Sequence, residues 1–131
     1  MNKEDKELLL RDLCNRLPYN VMCQVEFKED GKYNSKVMLL SGIFTDEADF
    51  TTKGGSIYSN EYKPYLFPLS SMTEEEQRTL DSMCNGVEMV SRLSGLKMFG
   101  KAFNWLNENH FDYRGLIEKG LAIDATSKKI Y

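Results

Sequence analysis

The sequence predicts an α+β domain: an N-terminal helix, a three-stranded antiparallel sheet and a helical C-terminal half. Three observations carry that prediction. Apolar residues recur at helical spacing near the start, alternate one by one from Val21, and return to helical spacing after Pro64 and Pro68. At 131 residues the chain suits one domain, residues 1–131, that buries a core without disulfides or metal.

The first helix is expected over about residues 3–16. Leu10, Leu13, Cys14 and Leu17 form its stripe, with Lys6, Glu7, Arg11 and Asp12 on the remaining faces. Asn2 is placed to cap it, Asp5 suits the positive end of the dipole, and Pro18 stops it near Arg16. The sheet is expected over about residues 20–60. Val21, Cys23, Val25 and Phe27 alternate with polar neighbours, Glu29-Asp30-Gly31-Lys32 makes a tight turn, and residues 36–44 return. Thr45 to Asp49 reads as a polar turn, and Gly54-Gly55 leads into a third strand, Ser56 to Tyr58.

Residues 61–72 hold Tyr62, Pro64, Tyr65, Phe67 and Pro68. Two prolines this close argue against a central strand, so an extended aromatic arm across the sheet is expected. A capping box, Thr73 with Glu76, then opens a helix over about 74–85 whose stripe is Leu80, Met83, Cys84 and Val87. Asn85-Gly86 is its candidate stop, and the sequence leaves open whether residues 87–93 continue it. Further helices are expected over about 97–109 and 113–119, the second capped by Asp112 and closed by Gly120, followed by a loose tail over 125–131.

Composition excludes several classes. With 41% apolar, 28% charged and 11% aromatic residues the chain reads as a folded domain. It has no apolar run long enough for a membrane span, and its acid-containing first residues do not resemble a secretory signal, so a cytoplasmic location is expected. Cys14, Cys23 and Cys84 form no C-x-x-C pair, and the single histidine does not complete a metal set, so neither metal nor cofactor is expected. The net charge of −3 disfavours nucleic acid, although the C-terminal end is mildly basic.

The densest cluster of special residues runs from Trp105 to Ile123. It holds the only tryptophan, the only histidine, Phe111, Tyr113 and Arg114. His110 with Asp112 could handle protons, and Ser70 or Ser71 could be added to make a triad, but no nucleophile-elbow context supports it. Each residue has an ordinary structural duty: His110 at a helix end, Asp112 as a cap, Tyr113 in packing and Arg114 in an ion pair. Adjacent Glu74, Glu75 and Glu76 are explained by helix capping and dipole, and Gly54-Gly55 lacks the lysine and hydroxyl of a phosphate loop. Aromatics near Lys63 suit either base stacking, cover for the sheet, or a protein partner.

Two segments, Lys63-Pro-Tyr-Leu-Phe-Pro-Leu-Ser-Ser-Met-Thr-Glu-Glu-Glu76 and Trp105-Leu-Asn-Glu-Asn-His-Phe-Asp-Tyr-Arg-Gly-Leu-Ile-Glu-Lys-Gly-Leu-Ala122, carry a family resemblance, as does the opening Leu9 to Tyr19. The chain resembles a group of small uncharacterised proteins of gut anaerobic bacteria and their phages or prophages. That resemblance implies a mobile-element or accessory context and assigns no catalytic residue.

The expected function is a small cytoplasmic accessory protein that binds another protein. Its candidate surface is Tyr62, Tyr65, Phe67, Trp105, His110, Tyr113 and Arg114. The alternative is a nucleic-acid-associated accessory protein using Lys97, Lys101, Arg114, Lys119 and Lys128. An enzyme using His110 and Asp112 ranks last.

Overall fold

The computed structural model describes residues 1–44, 47–52, 55–84 and 92–131. The elements follow the order α1 (Lys3–Arg16), β1 (Met22–Glu29), β2 (Lys32–Ile43), β3 (Ala48–Thr52), β4 (Gly55–Ser59), β5 (Glu61–Pro68), α2 (Glu74–Cys84), α3 (Arg92–Glu108), β6 (Phe111–Asp112) and β7 (Ile123–Asp124). The class is α+β with an N-terminal helix, as the sequence predicts. The sheet is larger than the expected three strands. Among the described residues it has seven, in the order β4-β3-β2-β1-β5-β6 with β7 also on β5. Pairs from β4 through to β5 are antiparallel, while β6 and β7 run parallel to β5.

Helix α1 begins where Asn2 Oδ1 accepts the Asp5 amide at 2.8 Å, and it ends at Arg16 before Pro18. Its buried face is rotated by one residue from the expected stripe. Leu9, Asp12, Leu13 and Arg16 are buried, Leu10 and Leu17 only partly so, and Cys14 is exposed. The reason is charge: Asp12 and Arg16 stand one turn apart and neutralise each other, so a face carrying both can turn inward.

The Asp30-Gly31 turn joins β1 to β2 with positive φ at both residues, 50° and 78°. Thr45 and Asp46 of the expected polar turn lie outside the described residues, as does Gly54. The rest of that turn is different: Ala48 and Asp49 begin β3, whose Ala48 and Phe50 alternate into the core. Only Asn60 separates β4 from β5, so the two act as one sharply bent strand that pairs with β3 before the bend and β1 after it. At the bend, Ser59 Oγ donates to Glu26 O at 2.6 Å and accepts the Glu61 amide at 3.1 Å.

The expected aromatic arm is instead strand β5, and backbone alternation explains how a strand tolerates its prolines. Val21 O accepts the Leu40 amide, so odd-numbered residues of β1 point their backbone groups at β2. Even-numbered ones point at β5. Cys23, opposite Pro64, therefore makes no ladder bond to it, and the missing proline N–H is not needed there. Pro68 is the last residue of the strand.

The capping box is formed: Thr73 Oγ1 accepts the Glu76 amide, and Glu76 Oε1 accepts the Thr73 amide. No residue of α2 is fully buried, and it packs chiefly on α3. The Asn85-Gly86 stop, and residues 87–91 after it, lie outside the described residues. Helix α3 starts at Arg92, ahead of the expected Lys97. The expected helix over 113–119 is a run of turns, because Gly115 takes φ +75° and breaks the helical path. Asp112 still caps that turn, accepting the Leu116 and Ile117 amides at 2.9 Å each.

The C-terminal stretch is docked where a loose tail is expected. Ala125 is fully buried and its amide donates to Leu66 O at 2.8 Å. Tyr131 Oη accepts the Met22 amide at 3.0 Å and donates to Tyr65 O at 2.8 Å. That hydroxyl fills the rung that the β1–β5 ladder would otherwise lack next. The core lies between the sheet, α1 and the C-terminal turns, built on Leu9, Leu13, Val25, Leu66, Leu116 and Leu121. Tyr131→Phe removes the rung and is expected to lower unfolding free energy by about 1–2 kcal/mol, measured by urea denaturation. An unchanged midpoint would show that the rung carries no stability.

Candidate functional site

The segment from Trp105 to Ile123 is anchored to α1 by a buried ion pair. Arg16 Nε lies 2.6 Å from Asp12 Oδ2 and its Nη2 is 3.2 Å from Oδ1, with both side chains fully buried. The same Nη2 donates to Phe111 O at 2.6 Å, tying α1 to the segment after α3. Arg114 adds a second cation, its Nε 3.3 Å from Asp12 Oδ1. This contact is an ion pair without hydrogen-bond alignment, since Arg114 Nε has no hydrogen-bond partner among the described residues. Both guanidinium groups lie 5.3 Å from the centre of the Tyr113 ring. Burial pushes the Asp12 carboxyl above its usual range, while the hydrogen bond and charge of Arg16 and the charge of Arg114 pull against it.

His110 closes α3 in left-handed geometry, φ +61°, and its carbonyl accepts the Phe67 amide at 2.8 Å. Its ring stacks on Tyr131, centroids 3.7 Å apart. Nδ1 is buried with no hydrogen-bond partner among the described residues. Burial, with a smaller contribution from the Arg16 charge, lowers the imidazole to about 4. Asp112 spends both carboxylate oxygens on its backbone cap. The pair proposed for proton handling is thus not hydrogen-bonded among the described residues. Ser71 lines the same shallow cleft of about 360 Å³ as His110, but its hydroxyl donates to Pro68 O.

The seven residues singled out by sequence fall into two groups. Tyr65 and His110 are buried; Tyr62, Phe67, Trp105, Tyr113 and Arg114 are partly buried. Tyr62 packs on Phe50, Phe67 on Phe111 and Tyr131, and Trp105 stacks on Phe111 at 5.7 Å. Tyr65 Oη donates to Gln24 Oε1. Tyr113 and Arg114 line a cleft of about 510 Å³ with Asn15, Gly100, Phe103, Asn104 and Asn107, while Phe67 and His110 line the cleft of Ser71 and Tyr62 lines a third with Leu9 and Leu10. Tyr113 Oη donates to Asn107 Oδ1 at 2.9 Å, and its ring lies 5.4 Å from that of Phe103.

Leading into this cleft along α3 are three apolar side chains that sequence reasoning did not single out as a surface. Leu96, Phe99 and Phe103 are 68%, 43% and 48% exposed. Their spacing sets them on one flank of the helix, beside the buried Ala102 and Leu106. The apolar stripe of α3 is thus wider than the face it buries, a mismatch that no sequence pattern reports without the partner elements. Burial pushes the Cys23 thiol up, which keeps it protonated, whereas Cys14 is exposed and Cys84 partly so. Among the described residues no group of three or more His, Cys, Asp or Glu side chains is gathered to hold a metal. No described helix is long and apolar enough to cross a membrane. Comparison with family models, with curated proteins and with solved structures finds no match.

Two outcomes follow from the ion pair and the histidine. Arg16→Met leaves a carboxylate in the core and frees Phe111 O, and should cost about 3–5 kcal/mol by chemical denaturation; a loss under about 1 kcal/mol would mean the pair is dispensable. His110, protonated in the unfolded chain below 6.5 but held neutral in the fold down to about 4, should cost stability as pH falls through that window. The slope is up to about 1.4 kcal/mol per pH unit, and His110→Asn, which suits left-handed φ, should abolish the histidine's share of it. Parallel stability curves for the two proteins between these pH values would contradict the shift.

Proposed function

We propose that this protein is a binding module for another protein, docking through the flank of α3 that carries Leu96, Phe99 and Phe103. The observation behind the reading is the continuity of that exposed apolar flank with the cleft of Asn15, Gly100, Phe103, Asn107, Tyr113 and Arg114. Contiguous exposed apolar surface bordered by polar groups marks interaction sites more often than scattered single residues do. Phe103 belongs to both parts, and its ring meets that of Tyr113.

The partner is one that offers an apolar anchor flanked by a carboxylate. The anchor meets Leu96 and Phe99, and the carboxylate approaches Arg114, the only cation lining the cleft among the described residues. Relative to the surface expected from sequence, the proposal keeps Tyr113 and Arg114 and exchanges the more enclosed Tyr65 and His110 for the α3 flank. The resemblance of two motifs to proteins of gut anaerobes and prophages supports an accessory, mobile-element-related role for such a module.

The test is affinity purification of the tagged chain from its native cell, with the wild type beside Leu96→Ser/Phe99→Ser and Arg114→Glu. One partner recovered in fixed ratio should be lost by both variants, while melting temperature changes by no more than about 4 °C for the double variant. Tyr33→Ser, on a distant exposed strand, should retain it. A partner retained by the double variant, or no partner in fixed ratio, defeats the proposal.

A further inference from the structure

The curled sheet does not close along its whole length. Strand β5 pairs with β1 only from Cys23 to Glu26, whereas β1 continues to Glu29 paired with β2 alone. Strand β4, on the other side of the Asn60 bend, pairs only with β3. The two strands touch where Ser59 Oγ donates to Glu26 O, and beyond that point a wedge of about 490 Å³ separates them.

Backbone alternation decides what faces this wedge. Met22 N–H points away from β2, to Tyr131 Oη, and Glu26 C=O points away from β2, to Ser59 Oγ. Lys28 continues the even-numbered series, so its N–H and C=O point into the wedge and have no partner among the described residues. Alternate residues of β4 must likewise direct backbone groups outward. The described β4, Gly55-Ser-Ile-Tyr-Ser59, carries no charge and no proline, so it lacks the usual protection of an edge strand.

Side chains add chemistry to the two edges. Phe27 and Ile57 line the wedge half-buried, and Tyr58 lines it 58% exposed. Three carboxylates, Glu26, Glu47 and Glu61, face a single ammonium, Lys28, for a local balance of −2. Unpaired backbone, apolar side chains on both edges and surplus negative charge together suit an added strand that carries basic residues.

We propose that the β1–β4 wedge takes up an extended, Lys- or Arg-bearing segment of a partner protein as an added strand. Apolar residues of the segment pack against Phe27, Ile57 and Tyr58. Its basic residues meet Glu26, Glu47 and Glu61. The site is separate from the α3 flank and stands without it.

The probe is a fluorescein-labelled, end-capped peptide of about seven residues in which lysine alternates with valine or tyrosine. Two relatives accompany it: one with glutamate for lysine, one with alternate amides N-methylated. Anisotropy should report saturable binding of the parent, weakened roughly tenfold or more by glutamate in the peptide or by Glu26→Lys/Glu61→Lys in the protein. N-methylation should abolish it. Amide exchange at Lys28 should slow on binding, a readout that loose charge attraction would not move. Leu96→Ser/Phe99→Ser should bind the peptide like the wild type, which separates this inference from the preceding one. Equal binding of the N-methylated peptide, unchanged Lys28 exchange, or absence of binding would overturn the proposal. So would concentration-dependent dimerisation abolished by Tyr58→Asp, which would identify a second copy as the occupant.

Discussion

The ion pair between Asp12 and Arg16 is the constraint on which the rest of the arrangement depends. It lets α1 turn a charged face into the core, and Arg16 then holds Phe111 O and sits by the Tyr113 ring. That single guanidinium joins the first helix to the segment after the last. Arg114 reaches the same carboxylate from the chain that follows, so one acid organises two cations and an aromatic ring. In a buried setting such a group is costly to leave half-made, which gives the junction specificity even where an apolar replacement would be equally stable. The position of Tyr113 and Arg114 at the mouth of their cleft is a consequence of this anchoring.

Local signals in the sequence are well expressed in the fold. The Asn2 cap, the Pro18 stop, the Asp30-Gly31 turn and the Thr73–Glu76 box depend on a few neighbouring residues, and each forms. What sequence could not reveal depends on distant partners. Asp12 and Arg16 look like solvent-facing charges until both are seen to be buried together, although their i, i+4 spacing was the available sign. Pro64 and Pro68 argue against a strand until the alternation of β1 shows that no ladder bond is asked of Pro64. β6 and β7 are two residues each, below the length at which alternation carries information.

The same distinction applies to the candidate site. The special residues from Trp105 to Arg114 lie where α3 and the turns after it meet α1, and Tyr113 and Arg114 line a cleft there. Yet Trp105, His110 and Phe67 are engaged with Phe111 and Tyr131. Residue type alone does not separate an aromatic that packs from one that is offered to a partner. The exposed flank of Leu96, Phe99 and Phe103 is composed of apolar residue types that a helix ordinarily buries, and only the position of α3 against its neighbours leaves them outward.

The hydroxyl of Tyr131 links Met22 to Tyr65, closing a gap between strands with a group that lies 109 residues along the chain from one of them. During synthesis the helix, the hairpin and the bent strand emerge first, and none of them can complete this rung. The register between the first and fifth strands therefore stays one contact short until residue 131 has left the ribosome. A long-range closure of this kind is entropically expensive and late, so acquisition of the finished fold is timed by the arrival of Tyr131 and not by formation of the early elements.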